Sequence, residues 1–203
     1  MIPSFKSITA FLVIFCFHMN LVGESGPHKF IDSQAQEMVS IIINNQKLFA
    51  EDPELFKDKI SMIFEPMVDF RRVGASVMGK KYYLASSKSQ RLEFIQAFKN
   101  SLLDTYTSTL AQWGDQRIVT VFPEVYEYKK TEDVQQNLIT ASNIYPITYK
   151  VRKNKSGDWL IINIIVNGVN LGLTFRNQFQ ALAKEHGENI DEIIKHWTSD
   201  ADL

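Results

Sequence analysis

The sequence predicts an α+β domain: helices first, then an antiparallel sheet, then helices again. Three observations carry this. Residues 28–113 repeat apolar side chains at helical spacing, residues 117–171 are β-rich and alternating, and helical spacing returns over 173–197. No internal repeat, linker or low-complexity tract divides the chain.

The first helix is read from His28 to Phe49, with Ile31, Ala35, Met38 and Ile42 in step. Asp52-Pro53 marks the next start, a capping carboxylate before Pro at the first helical position, and Pro66 marks its end. A shorter helix is expected from Asp69 to Met78, closed by Gly79. Ser87 with Gln90 forms a capping box. It opens the longest helix, about 88–113, with Ile95, Phe98, Leu102, Tyr106, Leu110 and Trp113 on one stripe. Strands are expected over Arg117–Tyr128 (interrupted at Pro123), Leu138–Arg152 and Asp158–Leu171. The polar segment 153–158 should join the last two as a hairpin. Pro146 suggests an edge or a bulge. Leu173–His186 is helical up to Gly187, and Asn189 starts a short final helix bearing Trp197.

Residues 1–25 read as a secretory signal. Lys6 precedes an apolar run from Ile8 to Phe17, too short to span a bilayer, and small residues allow cleavage near Ser25. Cys16 does not fit a lipobox, because Phe15 precedes it. The alternative is an uncleaved anchor. Residues 26–203 then form a single domain without cysteine, which excludes a disulfide framework. Four histidines leave little material for a zinc centre, and a net charge of −1 gives no global case for nucleic-acid binding.

Two segments stand out. Trp159–Val166 is apolar on both faces: Leu160, Ile162, Ile164 and Val166 on one, Trp159, Ile161 and Ile165 with Asn163 on the other. A sheet with one wet face would alternate. The strand is therefore either a covered central strand or the wall of an apolar cavity. Between Phe70 and Leu92, Arg71, Arg72, Lys80, Lys81, Lys88 and Arg91 stand without an intervening acid until the helix that follows, while acids gather near the C-terminus. That pattern is a solvated surface or a face for anionic headgroups or an acidic partner.

Catalytic signatures are missing. Gly74-Ala75-Ser76-Val77-Met78 lacks the last glycine of a nucleophile elbow, and there is no H-E-x-x-H, Walker or Rossmann pattern. No arrangement of His28, His186 and His196 makes one of them a base.

Order and spacing of several short motifs resemble one family. Phe70-Arg71-Arg72-Val73-Gly74-Ala75-Ser76-Val77-Met78-Gly79 is similar to its Asp-Phe-x-x-(Met/Ile)-Ala-x-x-Val-Leu-Gly segment. Gln90-Arg91-Leu92-Glu93-Phe94 through Phe98 fits Gln-Arg-x-x-Phe-x-x-x-Phe. Gly157-Asp158-Trp159, Gly168-Val169-Asn170-Leu171 and Phe175-Arg176 to Phe179 follow its C-terminal pattern. The chain thus resembles the MlaC, or toluene-tolerance (Ttg) auxiliary, family of periplasmic phospholipid-binding proteins. Asn163 departs from the usual Asp, and Asn170 from the usual Ser.

The resemblance implies a curved sheet and helices enclosing an apolar cavity, related to the NTF2-like cone. It implies a phospholipid cargo, no cofactor and no catalysis. It also implies a monomer that shuttles lipid in the periplasm between an outer-membrane lipoprotein–porin complex and an inner-membrane MCE-domain ABC transporter. The expected cavity wall is Phe98, Leu102, Tyr106, Tyr149, Trp159, Ile161, Ile165, Val169, Phe175 and Phe179. Arg71, Arg72, Lys80 and Lys81 are the candidates for headgroup or partner contact. Two other readings stay open: an NTF2-like enzyme on an apolar substrate, and an adaptor that binds only proteins.

Overall fold

The computed structural model describes residues 26–124 and 127–198. Residues 1–25, expected from the sequence to be a secretory signal, lie outside them, as do Val125 and Tyr126. Helices α1 (Pro27–Asn44), α2 (Gln46–Glu51), α3 (Pro53–Met67), α4 (Phe70–Ala85) and α5 (Lys88–Ala111) come first. Strands β1 (Arg117–Val121), β2 (Thr131–Ile139), β3 (Ile144–Lys153), β4 (Trp159–Val166) and β5 (Val169–Asn170) follow, then α6 (Leu171–Glu185) and α7 (Ile190–Lys195). The α+β expectation holds.

Caps explain the helix starts. Asp52 accepts from the Leu55 amide at 3.0 Å, and Asp69 from the Arg72 amide at 3.0 Å. Ser87 and Gln90 make both bonds of the capping box. Two ends differ from expectation. The first helix breaks at Asn45, whose side-chain amide donates to the Ile41 carbonyl at 2.7 Å and diverts the backbone ladder. The α4 segment does not stop at Gly79; it kinks there and resumes to Ala85. Gly79 takes φ 70°, and a Cβ would sit 2.8 Å from the Arg176 guanidinium of α6. The glycine therefore lets α6 cross the break.

The strands pair in sequence order, all antiparallel. The run expected from Leu138 to Arg152 is two strands, parted at residues 140–143, where the Asn143 amide donates to Thr140 Oγ1 at 3.0 Å. The preceding polar stretch, Thr131–Asn137, is strand too. Its outward residues Asp133 and Gln135 face water, while Val134 and Gln136 are buried. Pro146 sits in a central strand, but at its end, beyond the Ile147–Val166 pairing that starts the β4 ladder. The expected strand from Arg117 stops at Val121, before Pro123.

The helices cover one face of the sheet. Ile31 of α1 and Met67 of α3 pack on Val134, Val151, Trp159 and Ile161. A second cluster, free of the sheet, joins α4, α5, α6 and α7 through Val77, Phe94, Phe98, Phe175, Phe179, Ile193 and Trp197. A third joins α1, α3 and α5 through Ile42, Phe56, Ile60 and Leu103.

Candidate functional site

A bulge resolves the two-faced strand. Val151 pairs with Ile161 and Lys150 with Asn163, so Ile162 is an extra residue in β4. The bulge shifts parity. Trp159 and Ile161 before it, and Ile164 and Val166 after it, pair with Lys153, Val151, Tyr149 and Ile147, and turn the same way. Ile165, opposite Thr148, is on the other face.

Between this inner face and the helices lies a cavity of about 320 Å³. Its walls are Ile147, Tyr149, Ile161, Ile164 and Val166 of the sheet, Ile60, Phe64 and Val68 beside α3, and Val73 of α4. Phe98, Leu102, Leu103, Tyr106, Thr107 and Leu110 line it from α5, and Leu171, Gly172 and Phe175 from α6. No Asp, Glu, His, Lys, Arg or Cys of the described residues lines it. Burial alone pushes the Tyr149 phenol far up, so it stays protonated. The Thr107 hydroxyl is buried in the wall and has no hydrogen-bond partner among the described residues.

Six of the residues expected in the wall come together: Phe98, Leu102, Tyr106, Tyr149, Ile161 and Phe175. Four do not line the cavity. Phe179 packs one helical turn beyond Phe175, in the solid aromatic cluster. Trp159 lies below Ile161 in the cluster with Ile31 and Val151. Ile165 is turned away by the bulge, and Val169 sits in the two-residue β5. Sequence reasoning missed the rest of the wall, Ile164, Val166 and Thr107 among them. The first two follow from the bulge, which no residue type announces.

Asn163 is the cavity's polar clasp. Its Oδ1 accepts from the Gly172 amide at 3.0 Å, and its Nδ2 donates to Asn170 Oδ1 at 3.0 Å. Asn170 in turn caps α6, accepting from the Leu173 amide at 3.1 Å. A Cβ at 172 would lie 2.5 Å from Asn163 Oδ1. The two departures from the family pattern therefore touch each other. An Asp–Ser pair puts the donor on the second residue; the Asn–Asn pair puts it on the first.

The basic stretch divides. The Lys81 ammonium is bound by Glu188, which raises its pKa and lowers that of the carboxylate. Arg91 stacks on Tyr83 at 4.2 Å and donates to the Ser86 carbonyl at 2.8 Å. Lys80 is exposed. Arg71 and Arg72 open onto a groove shared with the β3–β4 hairpin.

His186, Glu192 and His196 were not joined by sequence reasoning, yet their donor atoms lie within 4.8 Å of one another. The two rings stack at 4.4 Å and 12°. Imidazole lone pairs lie in the ring plane, so two parallel rings do not converge on one ion. The resting arrangement is a stacked pair rather than a metal centre.

The fold and cavity define a class: helices laid over one face of an antiparallel meander, leaving an apolar hollow at the bulged strand. The family model described as MlaC protein matches residues 32–199. The chain belongs to the MlaC family. It is 29% identical to the toluene tolerance protein ttg2D of Pseudomonas putida over 93% of this chain and 87% of that one. It is 27% identical to the intermembrane phospholipid transport system binding protein MlaC of Haemophilus influenzae, over 94% and 89% respectively. A phospholipid-binding protein from Ralstonia solanacearum, solved in complex with a phospholipid, shares the fold with a TM-score of 0.76. That likeness has 18% identity and covers 84% of this chain and 94% of the other.

Proposed function

We propose that the chain is a periplasmic phospholipid carrier, exported by residues 1–25 and acting as a monomer. It takes acyl chains into the cavity between β4, α3, α5 and α6. It carries lipid between an outer-membrane lipoprotein–porin complex and an inner-membrane MCE-domain ABC transporter. The observation that carries this reading is a hollow in whose wall the described residues place no Asp, Glu, His, Lys, Arg or Cys. That wall suits hydrocarbon and offers general acid–base catalysis no carboxylate, imidazole, amine or thiol, and burial keeps the Tyr149 phenol protonated, which counts against the enzyme reading. The names of the Haemophilus and Ralstonia relatives point the same way.

Each buried CH2 contributes about 0.8 kcal/mol, so a bound acyl chain leaves slowly unless something opens the wall. The Thr107 hydroxyl is one of the wall's polar groups and has no partner among the described residues. It can donate to an ester oxygen of the lipid, a bond a plain alkane would not satisfy. Arg71, Arg72 and Lys80 remain for headgroup or partner contact; Lys81 is engaged by Glu188.

Native mass spectrometry of protein purified from a Gram-negative periplasm, with lipid extraction, tests the reading. A stoichiometric phospholipid is expected. Lipid-free protein that takes up no labelled phospholipid from vesicles would end it. Thr107→Val should retain the fold and weaken phospholipid binding several-fold.

A further inference from the structure

A second concavity, of about 590 Å³, lies outside the lipid cavity. Arg71 and Arg72 come to it from α4, Arg152, Lys153 and Lys155 from the β3–β4 hairpin, and Lys130 from the start of β2. Sequence separation hides this convergence, because two of its three sources lie outside the basic stretch. One acid, Asp69, lines the groove. It is already engaged, capping α4 and pairing with Arg72 Nε at 3.3 Å. Arg71, Lys130, Arg152 and Lys155 make no ion pair among the described residues. So many uncompensated cations around one concavity repel each other and lower the cost of bringing in negative charge.

We infer that this groove docks an acidic segment of a partner protein, its Asp and Glu carboxylates pairing with Arg71, Arg72 and Arg152. Three features select that occupant. Guanidinium forks bind carboxylates in two-point geometry. The groove is concave and long enough to gather cations from three elements, which suits a chain rather than a single small ion. None of the exposed large apolar side chains among the described residues lines it, so it lacks the inserting groups of a bilayer-docking face. The inference rests on the carrier reading, which requires partners. The groove also borders the cavity: Val68 and Val73 wall the hollow, and Asp69, Arg71 and Arg72 of the same segment wall the groove.

The test uses the whole protein and a fluorescein-labelled deca-glutamate peptide, read by anisotropy at two salt concentrations. Saturable, salt-sensitive binding is expected. Arg71→Glu with Arg152→Glu should weaken it by about tenfold or more. Lys47→Glu with Lys184→Glu, an equal charge change outside the groove, should alter it by less than about twofold. Lys155→Glu, in the exposed hairpin, gives an intermediate loss and guards against misfolding of the double variant. Equal losses in both double variants would overturn the inference. So would competition of the peptide by millimolar inorganic phosphate, which marks a small-anion site. Groove-dependent binding to phosphatidylethanolamine–phosphatidylglycerol vesicles that exceeds peptide binding would make the groove a membrane face instead. Co-purified lipid is measured on the same samples. In the wild-type protein, no peptide binding with lipid retained would sink the groove alone, and absent lipid with peptide binding intact would sink the carrier reading alone.

Discussion

Helix α5 serves two apolar regions of opposite character. Its N-terminal half enters the solid cluster through Phe94 and Phe98; its C-terminal half lines the hollow through Leu102, Tyr106 and Leu110. In the solid region rings meet edge to face: Phe94 with Phe179 at 5.0 Å, Phe94 with Trp197 at 5.1 Å, Phe98 with Phe175 at 5.4 Å. Phe98 and Phe175 form the wall between the two regions. Both regions are apolar, so composition does not separate them. What separates them is whether an opposing element fills the space. Ile193 of α7 and Trp197 just beyond it close the first region, whereas the bulged β4 stands off from α5 across the second.

The largest expected effect tests that contrast by removal. Phe179→Ala opens a void in close-packed surroundings and should cost about 3–5 kcal/mol in urea denaturation. Leu102→Ala removes atoms that already face empty space, with fewer dispersion contacts to lose, and should cost about 2 kcal/mol or less. Equal costs would mean the hollow is as tightly packed as the core. The next test adds bulk. Ile164→Trp fills the cavity and should reduce lipid retention by about tenfold or more, with at most about 1–3 kcal/mol of destabilisation. Ile165→Trp, on the opposite face, should retain lipid at the wild-type level. Loss of lipid in the second variant and not the first would place the parity shift wrongly.

Much of this contrast was legible in the chain. The α5 stripe, its capping box and the expected contributions of Phe98, Leu102, Tyr106, Tyr149, Ile161 and Phe175 to one surface follow from local periodicity. Ile165 was not, because a single inserted residue at Ile162 turns Ile164 and Val166 inward and Ile165 to the other face. Phe179 was not, because spacing puts 175 and 179 on one stripe and only α7 decides which is covered by protein. Thr131–Asn137 escaped notice because a strand with a wet outer face and a buried Gln136 carries a weak apolar signal. The Asn167-Gly168 turn was a missed local signal: both residues take positive φ, 48° and 85°, as a tight hairpin requires.

The clasp gives a smaller, double-mutant test of how the hollow's rim is held. Asn163→Asp leaves two acceptors facing each other, its own carboxylate and Asn170 Oδ1, and should cost about 1–2 kcal/mol. Adding Asn170→Ser restores a donor and a cap, so the pair should recover most of the loss, a coupling of about 1 kcal/mol. Additive losses would show that the two residues act separately. Thermal melting of the four proteins gives the cycle.

The smallest effect concerns what spans the hollow from outside. Helices α3 and α5 are tied by Lys99 to Glu65 at 2.8 Å and by Lys57 to Asp104 at 3.0 Å. Hydrogen bonds from Lys99, then Ser61, hold the Glu65 carboxyl below its ordinary value of 4.5. A depressed carboxylate contributes stability at pH above its unfolded value and loses it as pH falls through the folded one. Lys57 is raised above 10.5 by Glu54 and Asp104, so its contribution disappears only as pH rises through that higher value. Between these limits both ties hold. Glu65 is 40% exposed, which limits its tie to about 1 kcal/mol or less. Lowering the pH from 6 to 4 and below should therefore speed amide exchange, once corrected for its intrinsic pH dependence, in α3 more than in α6 and α7, whose shared cluster is packed without ions. Glu65→Gln should remove most of that difference. Exchange that accelerates equally in both regions would show that the hollow and the solid cluster open as one unit.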